Sequence, residues 1–94
     1  EISQRVEVKH LTASFTCKED WPFSCMVICD RSSWEAAMPK PFAYVHLNKA
    51  GTHAAIVKGE NSANWKVVQR QPKGDPYPHD CMATELSTVK FVKL

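Results

Sequence analysis

Two short polar breaks set the architecture of this chain. Residues 42–48, 53–58 and 65–71 are apolar runs, and the first and last carry the aromatic and β-branched types that suit a pleated, half-buried surface. Asn48-Lys49-Ala50-Gly51 separates the first two, and Gly59-Glu60-Asn61-Ser62 the last two. Asn and Gly accept left-handed backbone, and Asn and Ser bond their own main chain, so both breaks read as turns. Connections this short join antiparallel neighbours. Pro72 ends the third run because it cannot donate to a ladder. The spacing predicts a three-strand meander. In its first strand Phe42, Tyr44 and His46 share one face, and Ala43, Val45 and Leu47 the other.

Upstream, residues 5–15 alternate, with Val6 and Val8 expected inward and Arg5, Glu7 and Lys9 outward. Residues 24–30 contain the continuous apolar run Cys25-Met26-Val27-Ile28-Cys29, expected of a strand covered on both sides. The polar loop around Lys18-Glu19-Asp20-Trp21-Pro22 suggests that these two strands form a hairpin. Trp34-Glu35-Ala36-Ala37-Met38 is the one helix-like piece, with Asp30 or Ser32 as cap and Pro39 as stop. Residues 72–79 form a proline-rich loop, and 87–93 a final strand. The expected fold is all-β: one domain over 1–94, a six-stranded antiparallel β-sandwich or partly open barrel with one short helical turn. The alternative is an α+β, ribonuclease-like arrangement.

A domain of 94 residues buries only about two-thirds of its unfolded surface, so its core stabilisation is modest. Four cysteines fit the need for staples and predict two disulfides. If 24–30 is extended, Cys25 and Cys29 lie about 13 Å apart, beyond the reach of a bond. The hairpin favours Cys17–Cys25, which leaves Cys29–Cys81; Cys17–Cys29 with Cys25–Cys81 is the other arrangement. Closing the long loop to Cys81 would contribute about 4 kcal/mol. A zinc site from Cys25, Cys29, His79 and Cys81 is not expected, because only one cysteine pair has ligand spacing. No cofactor is indicated.

The net charge of +2, without a block of like charges, argues against a broad phosphate-binding field. No apolar run approaches the ~18–20 residues of a membrane span, so no membrane partner is expected. Cysteine usage, with a start at Glu1 and no charged-then-apolar leader, points to a mature secreted chain.

The chemistry-bearing residues are His46, Glu60, Arg70 and His79, the types that cleave RNA: a base, an acid and a cation for the phosphate. Tyr44-Val45-His46 resembles the Tyr-x-His strand motif of small secreted fungal ribonucleases. Phe23-Ser24-Cys25 with Ser32-Ser33 is similar to the start of that family and of the ribonuclease-like effectors of cereal mildews. That resemblance implies a compact ribonuclease, with nucleic acid as partner. In size, strand pattern and cysteine content the chain also looks like the MAX β-sandwich effectors of plant-pathogenic fungi. This second resemblance implies secretion, translocation into a host cell, and binding of a host protein through loops or a sheet edge, as a monomer. Between these readings, enzymatic activity is the less expected one. Trp21, beside Pro22 and Phe23, is hard to bury in a loop, and Tyr77 stands between two prolines. Trp21, Phe23 and Tyr77 are therefore the expected contact residues, whereas Trp65 is expected in the core. An extracellular hydrolase inhibitor would use the loops 18–23 and 72–80.

Overall fold

The turn at Asn48–Gly51 forms as its chemistry requires. Gly51 adopts φ 73°, open to glycine without strain. The buried Asn48 side chain accepts the Thr52 and His53 N–H groups at 2.9 and 3.2 Å and donates to the Phe15 carbonyl at 2.9 Å. The turn thus joins β3 (Ala43–Leu47) to β4 (His53–Lys58) as an antiparallel hairpin. These are observations on a computed structural model, which describes residues 5–94. The first described strand is β1 (Val6–His10).

The meander does not continue past β4. Residues Gly59–Asn64 wind into a 3-10 turn instead of a tight hairpin. Gly59 N–H donates to the Phe42 carbonyl at 2.8 Å, and a Cβ on Gly59 would stand 2.3 Å from the Pro41 carbonyl oxygen. The chain therefore passes tightly over the start of β3 and delivers β5 (Lys66–Arg70) to a different sheet.

The described residues form two sheets. The first has the order β1-β3-β4-β7, with β7 at Lys90–Lys93; the second has the order β2-β6-β5, with β2 at Cys25–Asp30 and β6 at His79–Glu85. Three expectations are corrected. The β1–β2 hairpin is absent: β1 runs parallel to β3, which the long crossover through 11–42 makes possible, and β2 pairs with β6. The described residues form seven strands, not six, because β6 fills the centre of the second sheet. The long strand 5–15 ends at His10; beyond it the main chain bonds irregularly, Leu11 N–H to Leu47 and Lys49 N–H to Ala13. The short helix α1 (Arg31–Ala36) is present, without a side-chain cap bond from Asp30.

The face of β1 is also the reverse of the expectation. Val6 and Val8 are exposed, at 46% and 61%. Glu7 and Lys9 lie on the inner side with their register partners Tyr44 and His46, both of which are buried. The inner charges are satisfied locally: Lys9 Nζ donates to Ile28 O at 2.9 Å, and Glu7 bridges Arg5 at 3.1 Å. Inward charge on an edge strand is a known way to keep that edge from pairing indiscriminately.

The core draws on both sheets and on the irregular segment between them: Phe15, Trp21, Met26, Ile28, Tyr44, Ala55, Val57, Trp65 and Val89. Trp65 is buried, as expected, in a tilted contact with Trp34 at 4.7 Å.

None of the four thiols is bonded. Neither Cys17–Cys25 nor Cys29–Cys81 forms; in the ladder Cys25 pairs with Glu85, Cys29 with Met82, and Cys81 with Asp30. Cys29 Sγ lies 3.6 Å from the Tyr44 hydroxyl, and Cys81 Sγ 3.6 Å from Asp30 Oδ1. Burial pushes both the Cys29 and Cys81 thiols above the usual range; Asp30 adds to the rise at Cys81. Thiol titration of unreduced protein should therefore count four free sulfurs. Cys17 and Cys25, half-buried, should react first, and Cys29 and Cys81 only once urea opens the fold. A total below four would reveal a cross-link.

Candidate protein-binding groove

The groove begins with a carboxylate. Asp20 accepts the Thr16 hydroxyl at 2.6 Å and the Thr16 and Cys17 N–H groups at 2.9 Å each. These bonds, the Thr16 hydroxyl foremost, hold its carboxyl down to about 2. They close the 3-10 turn Lys18–Asp20 and aim the following residues. Trp21 turns inward: its Nε1 donates to Cys25 O at 3.1 Å, and its ring meets Phe15 edge-on at 5.0 Å. Trp21 is only 8% exposed, which corrects the expectation that a loop tryptophan here stays outside; its one polar atom finds a partner, so burial costs little. Phe23 then stacks edge-on against Trp21 at 5.6 Å and remains 61% exposed.

Opposite this loop stands β5. Leu11, Trp21, Pro22, Phe23, Cys25 and Val27 on one side, and Val68, Gln69 and Arg70 on the other, enclose about 560 Å³. The walls are mainly hydrocarbon, with the Arg70 guanidinium the single full charge among them. β5 is an edge strand, paired among the described residues only with β6, so its other side carries main-chain groups without a strand partner. The sequence marked Phe23 but not Val68 or Arg70 as groove walls. Their role depends on β5 crossing to the second sheet, which no local pattern reports.

No family model, curated protein or solved structure matches this chain. The reading of the groove rests on its geometry.

The four residues of the ribonuclease expectation do not converge. His46 is 1% exposed, with Nε2–H donating to Ile28 O at 3.4 Å and Nδ1 without a partner. A substrate cannot reach it. Glu60 lies on the Gly59–Asn64 turn and faces Lys58 at 3.9 Å. Arg70 and His79 do sit side by side, as register partners on β5 and β6. His79 Nε2 is 2.6 Å from Asp75 Oδ2. The Asp75 carboxyl is held below the usual range by the Tyr77 N–H and then by His79. Tyr77 itself is 73% exposed on the loop before β6 and is not among the groove walls.

Two smaller clefts are polar. One of about 390 Å³ lies between β1 and β2, lined by Arg5, Glu7, Lys9, Cys29, Asp30, Ser33 and Tyr44. The other, of about 430 Å³, lies between α1 and the start of β6. Among the described residues, no His, Cys, Asp and Glu side chains gather as a metal site, and no helix is long and apolar enough to cross a membrane.

Proposed function

We propose that this chain is a protein-binding module, and that the groove between Phe23 and β5 takes an extended apolar segment of its partner. The observation that carries the reading is an apolar trough walled on one side by an exposed aromatic ring and on the other by residues of an edge strand. A partner strand can add its main chain to β5 while an aliphatic or aromatic side chain enters the trough. Arg70 favours an acidic residue next to that side chain. A host protein bound by a secreted effector and a hydrolase held by an inhibitor are two forms of this activity, which differ only in the partner. In this reading the two sheets are the layers of an open sandwich, a view supported by the core they share. Cross-linking is not part of it, since the thiols are unbonded.

Selection of a displayed random-peptide library on the immobilised protein tests the proposal. Enriched peptides should combine a large apolar residue with a neighbouring acid. Phe23→Ser and Val68→Asp should each weaken them by roughly tenfold or more, the scale of a truncated anchor. Peptides that bind both variants as well as the parent, or no enrichment at all, would overturn it.

A further inference from the structure

The free edge of β1 has a definite hydrogen-bonding parity. The Arg5 carbonyl accepts from the Phe42 N–H at 2.7 Å, and the Leu11 N–H donates to Leu47 O at 2.9 Å. Odd-numbered residues of β1 therefore direct their main-chain groups to β3, and alternation turns those of Val6, Val8 and His10 the other way. No strand among the described residues meets them there. This edge carries no proline, and its outer face presents Val6 and Val8, both exposed.

We propose that β1 is a self-association edge, which pairs antiparallel with β1 of a second copy about a two-fold axis at Val8. Self-complementarity chooses the partner and the register. Outward groups meet only when even-numbered residues face even-numbered ones. Of these registers, one sets Glu7 against Glu7 of the second copy with Arg5 against Lys9, and another sets Lys9 against Lys9; both repel. Centring on Val6 matches Arg5 with Glu7 but pairs only residues 5–7 among those described. Centring on Val8 uses the whole strand. Val8 faces Val8 and Val6 faces His10, each pair exchanging two N–H···O bonds, and Glu7 faces Lys9 twice by symmetry. Those charge pairs fall on the non-hydrogen-bonded positions, where side chains approach most closely. Both groups have capacity to spare. The Lys9 ammonium has three donors and places one on Ile28 O, and the Glu7 carboxylate has acceptor sites beyond its Arg5 contact. The dimer replaces the monomer expected from the sequence; its paired residues, Val6–His10, are not among the groove walls.

A contact of five residues a side is small, so the dimer is weak, with a dissociation constant on the order of 10–100 μM. Sedimentation equilibrium on either side of that range should show the mass rising from monomer to dimer. Glu7→Lys turns both attractive pairs repulsive and should weaken association roughly tenfold. Glu7→Lys/Lys9→Glu restores opposite charges and should recover the parent affinity. Val8→Pro removes an outward N–H while keeping every bond to β3, and should abolish the dimer. A parent protein that stays monomeric throughout overturns the proposal. So does a dimer indifferent to Glu7→Lys, or a double variant as weak as the single one. If Val8→Pro does not fold by circular dichroism, the charge exchange alone decides.

Discussion

Phe15→Ala should lower stability by about 3–5 kcal/mol, the range for removing a large aromatic side chain from a packed core. Phe15 is fully buried although it lies in a segment without regular structure. Its ring meets Trp21 at 5.0 Å and Phe91 at 5.8 Å, both edge-on. Its carbonyl accepts the Asn48 side chain. One residue thus fastens the irregular stretch after β1 to the hairpin turn on one side and to the groove loop on the other. Trp21, one of the rings lining the cavity left by alanine, is tied by its Nε1 bond to Cys25 O, which limits how far it can relax into the space. Domains of this size commonly have about 5–10 kcal/mol in total, so the variant should unfold at far lower urea than the parent. Val8→Ala, at an exposed position, should shift the same curve by no more than about 0.5 kcal/mol. Equal shifts for the two variants would remove Phe15 from the centre of the core.

Acid should destabilise the protein through His46, beginning near pH 6.5. Burial lowers the pKa of His46 in the folded chain, with Lys9 adding to the fall. The unfolded chain, with an ordinary imidazole, binds the proton first. The sign follows: stability contributed by the neutral ring is fully present above about pH 6.5 and is lost as pH drops below it. The loss runs at up to about 1.4 kcal/mol per pH unit until the folded ring itself takes a proton. His46→Leu removes the titration. It also removes Nδ1, a buried atom without a partner, and it leaves Ile28 O satisfied by Lys9. The variant should match or exceed the parent at pH 7 and should lack the loss between pH 6.5 and 5. Urea midpoints at the two pH values measure it, and a parallel fall in parent and variant would count against the assignment.

Local chemistry reads well in this chain, and long-range partnership does not. The β3–β4 hairpin is written in Asn48 and Gly51, the end of β5 in Pro72, and the brevity of α1 in Pro39. β6 escapes because Cys81, Ala83 and Thr84 are all buried, so the strand is covered on both sides and shows no alternation. β1 alternates correctly but with its faces exchanged. Pattern alone assumes that valine points inward, and here Ile28 O and Arg5 satisfy the charges inside. Of the three contact residues expected for recognition, Phe23 lines the groove from outside, Trp21 forms its floor from the core, and Tyr77 stands elsewhere. The difference between Trp21 and Phe23 turns on one carbonyl, that of Cys25, which a sequence pattern cannot place.

The order of strands in the second sheet has a consequence for biosynthesis. β2 emerges well before β5, yet the two are not hydrogen-bonded to each other; both wait for β6, which follows them. Until His79–Glu85 clears the ribosome, two partnerless ribbons and half of the shared interior stand open to water. The nascent polypeptide is therefore most vulnerable to sticking or cleavage just before that strand arrives.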